Sequence, residues 1–130
     1  MVGLTVGVSR FPNSSDLEFV ESDAQRISKS FQHIGVTVTT LLNPTRAELL
    51  AQIAKILATL GPDESFYFYF VGHGWSDSGT TYLGTADASI QNGRPTDGFQ
   101  FDSLKATMGE ARLKRAFAFL DMCRIEVSSR

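Results

Sequence analysis

The 130-residue sequence contains a single cysteine, so no internal disulfide can staple the fold and a buried apolar core has to hold it. Two histidines beside that one thiol are too few soft ligands for a zinc centre, and no metal is expected. Neither sign of charge dominates. Twelve Lys and Arg stand against fourteen Asp and Glu, a formal net charge of −2, which gives no overall attraction to phosphate backbones or anionic lipid. Nucleic acid and membranes are therefore not expected partners. The longest apolar stretches, residues 66–71 and 116–120, fall far short of the roughly 20 residues of a spanning helix. No basic start followed by an apolar core and a small-residue cleavage site opens the chain, and with the lone thiol this leads to the expectation of a reducing, cytoplasmic setting. A glycine-rich phosphate fingerprint is also missing, which counts against a flavodoxin-like module that binds a small ligand.

What is present suits one domain: 42% of residues are hydrophobic and 20% charged, in a chain long enough for one sizeable core and too short for two. Leu4–Ser9 reads as a buried strand running into the turn formers Phe11-Pro-Asn-Ser-Ser15. Leu17, Val20, Ala24, Ile27, Phe31 and Ile34 then repeat at helical spacing, with Ser15 and Glu18 as a capping box and Gly35 as the stop. Val36–Leu42 predicts a second strand. Thr45 and Glu48 open a second helix that turns Leu49, Ile53, Ile56, Leu57 and Leu60 inward and ends at Gly61-Pro62. The unbroken run Ser65–Val71 has the composition of a central strand covered on both faces and leads into Gly72-His73-Gly74. From Trp75 to Gln100 no period is sustained, which predicts a long loop with a short hairpin around Tyr82. Asp102 is placed to cap a short helix through Met108, and Arg115–Asp121 predicts a fourth buried strand running into Met122-Cys123.

Strands alternating with helices predict a three-layer α/β sandwich with a mainly parallel sheet, and right-handed crossovers make 2-1-3-4 the simplest strand order. The third and fourth strands are then neighbours, about 5 Å apart, with His73 and Cys123 at their C-terminal ends. A thiol is a weak nucleophile until a base or cation raises its thiolate fraction, and His73 is placed to do that. Taken singly, Cys123 is more simply a small core residue and His73 a strand-end histidine bonded to backbone. Together, at adjacent strand ends, they favour a catalytic dyad. The fourth strand also leaves an exposed apolar edge, so further strands are expected from another segment or chain.

Phe68-Tyr-Phe-Val-Gly-His-Gly74 and Phe119-Leu-Asp-Met-Cys-Arg124, with Cys123 fifty residues after His73, resemble the large-subunit region of caspase-like cysteine peptidases, in particular the metacaspase and orthocaspase branch. Gly7-Val-Ser-Arg-Phe11, Glu21-Ser-Asp-Ala24, Gly35-Val-Thr-Val38 and Leu42-Asn-Pro-Thr45 match the family in order and spacing, so the resemblance covers residues 1–130 as one catalytic domain. It implies a caspase-like fold and cleavage of peptide bonds, with His73 as base and then acid, Cys123 as nucleophile, and the backbone N–H groups of Gly74 and Cys123 as oxyanion hole. It further implies that Asp23 and Asp121 line a pocket selecting Arg or Lys. A smaller subunit-like fragment would complete the sheet.

The sequence departs from the family in two places, Arg124-Ile125 after the nucleophile and Val71 before the histidine. The acidic cluster that binds activating calcium in some metacaspases is thin, since Asp87, Asp97 and Asp102 are scattered rather than spaced as ligands. No cofactor is expected. Trp75 has two readings, a wall of a substrate groove or a loop aromatic packed on the sheet edge, and Arg112, Lys114 and Arg115 read as a solvated strand entry. His33 sits where the dipole of the first helix ends. Arg130 is of the residue type the pocket would accept, which suggests autoprocessing after it. The competing functions are a catalytically silent caspase-like regulatory domain and a flavodoxin-like binding module.

Overall fold

Strand β1, Val2–Gly7, divides its side chains unequally between its two faces, and that division sets how the layers stack. Val2, Leu4 and Val6 point into the main core, where they meet Phe66, Phe68 and Phe70 of β3 (Ser65–Asp77). Leu49, Ile53, Ile56 and Leu57 of α2 (Arg46–Ala58) and Leu104 of α3 (Phe101–Glu110) cover them from the same side. The other face carries only Gly3, Thr5 and Gly7, so α1 (Val20–His33) lies almost on the backbone: a Cβ on Gly7 would stand 3.0 Å from Ala24 Cβ and 3.1 Å from Val20 Cγ1. One helix on one face and two on the other make the three-layer sandwich. This computed structural model describes residues 1–10 and 18–125.

Strands β2 (Thr37–Leu42), β1, β3 and β8 (Arg115–Arg124) pair in that order, all parallel, which is the expected 2-1-3-4 arrangement. Beyond Gly7, where β1 ends, β3 continues and β4 (Thr80–Leu83) takes the place of β1 as an antiparallel neighbour of Gly74–Asp77. The expected long loop is thus mostly strand. Besides the β3–β4 hairpin, β5 (Ser89–Gln91) and β6 (Arg94–Thr96) form a second one, and β7 (Phe99–Gln100) pairs with β4. The two hairpins turn at Ser78-Gly79 and Asn92-Gly93, all four residues having positive φ of 53°, 83°, 54° and 75°. Such two-residue turns match the twist of the strands they join. The strands flanking Asn92-Gly93 are three residues long, too short for any alternation to show in sequence.

Other boundaries shift for local reasons. Helix α1 begins at Val20, with Phe19 at the N-cap and no side-chain cap, so the Ser15–Glu18 capping box does not open it; Ser15 and Leu17 lie outside the described residues. Of the expected stripe Val20 and Ala24 are buried and Ile34 is exposed, while Ser28 is buried through a 2.7 Å hydrogen bond with Thr40. Gly35 ends the helix at φ +93°. Helix α2 starts as expected, Thr45 Oγ1 accepting from the Glu48 N–H at 3.2 Å. Asp102 is not the cap of α3; it lies in the first turn after Gln100 and pairs with Lys105 at 3.3 Å. Strand β8 is not the buried strand expected: Ala118, Leu120 and Met122 are half-buried against the core, and Phe117 and Phe119 on the other face are 37% and 45% exposed. Helix α1 packs over β1, β2 and β3 and leaves a groove of about 240 Å³ between itself and β8, lined by Ile27, Ser30, Phe31, Tyr69 and Phe119.

Two glycines give opposite expectations. A Cβ on Gly98 would overlap the Trp75 ring, with Cζ2 at 2.6 Å, and that ring is buried and stacked on Tyr82 at 5.5 Å. Gly98→Ala should therefore destabilise by about 1–3 kcal/mol, whereas Gly109→Ala, in helix α3 with nothing near its Cβ, should stabilise by up to about 1 kcal/mol. Urea unfolding of both variants checks the pair, and equal effects would refute the packing at Trp75.

Asp87 accepts from the Thr85 hydroxyl at 2.7 Å and from the Arg46 N–H, at the start of α2, at 2.9 Å. Burial pushes its carboxyl up, but these hydrogen bonds and the Arg46 charge outweigh it and leave it below the ordinary aspartate value. A depressed carboxyl stabilises above its unfolded pKa of about 4, and that contribution is lost as pH falls through the lower folded value. Asp87→Asn should cost a few tenths to about 1 kcal/mol at pH 7, kept small by solvent screening. The wild type and variant curves should converge near pH 2, and a constant difference down to that pH would contradict the assignment.

Candidate active site

Ten residue pairs join β3 to β8, from Ser65↔Arg115 to Gly74↔Arg124, with Val71↔Asp121 and His73↔Cys123 among them. In-register residues of a parallel pair share a face, and their Cα atoms lie about 5 Å apart. The alternation assigns Tyr67, Tyr69, Val71 and His73 of β3 and Phe117, Phe119, Asp121 and Cys123 of β8 to the face that carries α1. Contacts along the ladder agree with it. Tyr67 stacks on Phe117 at 5.1 Å, Tyr69 on Phe119 at 6.4 Å, and Val71 packs against Val20 and Ala24 of α1. The two residues of the expected dyad are thus direct neighbours rather than merely residents of adjacent strand ends. His73 is buried, at 8% exposure, whereas Cys123 is exposed, so the reading of Cys123 as a core residue does not hold.

The β3–β8 ladder continues past both residues, Ile125 N–H donating to the Gly74 carbonyl at 2.8 Å, while on the β4 side Gly84 N–H donates to the His73 carbonyl at 2.9 Å. Gly74 has no room for a side chain, because a Cβ would overlap Met122 Sδ and stand 3.0 Å from the Tyr82 carbonyl oxygen. Ile125 packs into a small second core of Trp75, Ala88, Tyr82 and Ile90. Arg124 Nη1 donates to Ser76 Oγ at 3.3 Å, so Arg124 and Ile125, the departure from the family pattern after Cys123, both tie the strand end to the β3–β4 hairpin. Trp75 is buried in that core, as a packed aromatic rather than a groove wall.

Asp121 is hydrogen-bonded to a phenol that also feels the charge of Asp23. The Tyr69 hydroxyl donates to Asp121 Oδ2 at 3.3 Å. Burial raises the Tyr69 pKa first, then the Asp121 charge and hydrogen bond, then the Asp23 charge, so both carboxylates act on the same hydroxyl. Asp23 comes from the first turn of α1, is one-third exposed, and lies 3.7 Å from Arg26, which is itself largely solvated. Tyr69 was not singled out from sequence, and Arg124 only as part of a departure from the family pattern. The alternation of residues 66–71 could have placed Tyr69 on the Cys123 face, but its partner depends on the register with β8.

The scattered aspartates stay apart: Asp87 holds the start of α2, Asp102 pairs with Lys105, and Thr96 Oγ1 donates to Asp97 Oδ2 at 3.4 Å. Among the described residues, no three His, Cys, Asp or Glu side chains gather as metal ligands. Arg130 lies outside the described residues, and the autoprocessing expectation with it.

Among solved structures, protein GSU0716 from Geobacter sulfurreducens is similar over 94% of this chain, with a TM-score of 0.75 and 23% identity, a likeness that carries the fold. The chain spans about half the length of that protein, 50% of which is covered. No curated protein matches the chain. In sequence, the profile of the caspase domain, the C14 peptidase family, matches residues 2–130, from β1 through both strands of the His73–Cys123 ladder, and the chain belongs to that family.

Proposed function

We propose that this protein is a cysteine endopeptidase that cleaves after basic residues. The observation that carries the reading is the His73↔Cys123 register, which sets an exposed thiol beside a buried imidazole on one face of the sheet. In the first step His73 takes the thiol proton while Cys123 Sγ attacks the scissile carbonyl carbon, and the oxyanion that forms is held by the N–H groups of Gly74 and Cys123. Collapse breaks the C–N bond as His73 returns the proton to the leaving amine. His73 then takes a proton from water, whose hydroxide attacks the thioester and releases the acid and the free thiol. These steps need no group beyond the chain's own residues. A reducing, cytoplasmic environment would keep Cys123 available for them.

The basic preference rests on Asp121 and Asp23. Asp121 is two residues before Cys123 on the same face of β8, about 7 Å along the strand, within reach of a long side chain extending from the reacting residue. An Arg or Lys entering there meets one carboxylate from the strand and one from α1. That is the specificity of the metacaspase branch the sequence resembles. The open edge of β8, paired on one side with β3, suits completion of the sheet by a smaller subunit-like fragment.

Cys123→Ala should lower kcat/KM on Arg peptides by at least about 10³-fold, with Tm unchanged because the thiol is exposed; residual activity near wild type would refute the nucleophile. Asp121→Asn should lower kcat/KM for Arg and Lys peptides roughly 10- to 100-fold and leave a neutral peptide unaffected. Equal cleavage of basic and neutral peptides by the wild type would refute the pocket.

A further inference from the structure

We propose that Tyr69 is a specificity-positioning residue whose hydroxyl fixes the Asp121 carboxylate in an orientation suited to a planar guanidinium, so that the site prefers arginine to lysine. This rests on the reading of Asp121 as part of the substrate pocket. The ring of Tyr69 is held by two contacts: it stacks on Phe119 at 6.4 Å with a 28° interplanar angle, and it packs against the cluster of Val20, Ala24 and Val71. A ring fixed in this way fixes its hydroxyl. That hydroxyl donates to Asp121 Oδ2 at 3.3 Å, on a strand whose own side chain at Asp121 is exposed and would otherwise turn freely.

A carboxylate offers about four lone-pair sites in one plane, and one of them is occupied by the phenol. The remaining sites are then held in a set plane. A guanidinium donates two parallel N–H groups and gains from a carboxylate plane that does not have to be selected on binding, whereas an ammonium is a compact charge with rotating donors and is nearly indifferent to that plane. The raised pKa of Tyr69, caused first by burial and then by Asp121 and Asp23, keeps the phenol protonated and donating at neutral pH.

The test compares three peptides that differ only in carrying arginine, lysine or citrulline before the scissile bond, cleaved by wild type and by Tyr69→Phe, which keeps the stacked ring. Loss of the donor should raise KM for the arginine peptide about 5- to 10-fold, with kcat within about twofold. The lysine peptide should change less than about twofold and citrulline not at all, so the Arg/Lys preference falls. In an Asp121→Asn background, Tyr69→Phe should leave the ratio where it is. Phe119→Leu, which loosens the stack but keeps the hydroxyl, should move the ratio in the same direction, and serves if Tyr69→Phe folds poorly. Equal losses for arginine and lysine, or an undiminished effect without the Asp121 charge, would overturn the proposal.

Calorimetric binding of the arginine and lysine peptides to Cys123→Ala protein separates it from the peptidase reading. A Tyr69-dependent binding preference in a protein whose wild type cleaves nothing supports this proposal and overturns the other. Cysteine-dependent cleavage with an Arg/Lys ratio insensitive to Tyr69 does the reverse, and the absence of any binding preference overturns the proposal.

Discussion

The parallel pairing of β3 with β8 is the constraint on which the site depends. Its register sets His73 beside Cys123, Val71 beside Asp121 and Tyr69 beside Phe119, and a slip of one residue would turn every β8 side chain to the opposite face. What prevents the slip is the difference between the faces. Ala118, Leu120 and Met122 fit the core with Phe66, Phe68 and Phe70, while Gly74 leaves the space that Met122 fills. Packing on one face thereby dictates chemistry on the other.

The same division of labour explains the thin layer between β1 and α1. Gly3, Thr5 and Gly7 let the helix approach closely, and that approach sets the position of the first turn of α1, which carries Asp23. A larger residue at Gly7 would move Val20 and Ala24 outward, and Asp23 with them. The placement of the first turn of α1 is therefore a product of small residues on β1.

Much of this was legible in the sequence. The four parallel strands, the Thr45 cap of α2 and the Gly35 stop of α1 follow from local patterns of apolar spacing and turn chemistry, and the His-Gly and Asp-x-Cys pairs marked the family and its candidate residues. The parts that were not legible depend on partners distant in the chain. Phe117 and Phe119 look like core residues in a run of apolar letters, yet α1 does not extend over them. The strands of the second hairpin are too short to alternate, and α1 starts without any side-chain cap. Tyr69 was one aromatic among several until the β8 register supplied Asp121 as its acceptor.

The distance along the chain between His73 and Cys123 also bears on how the molecule reaches its native state. Fifty residues separate His73 from Cys123, so their pairing closes a long loop, and non-local parallel pairing of this kind is slow to nucleate. The β3–β4 and β5–β6 hairpins and helix α3 form from local contacts within that interval, and each shortens the flexible length left to close. The stretch that reads in sequence as a featureless connection is thus built of local elements that leave a shorter length for the last strand to close.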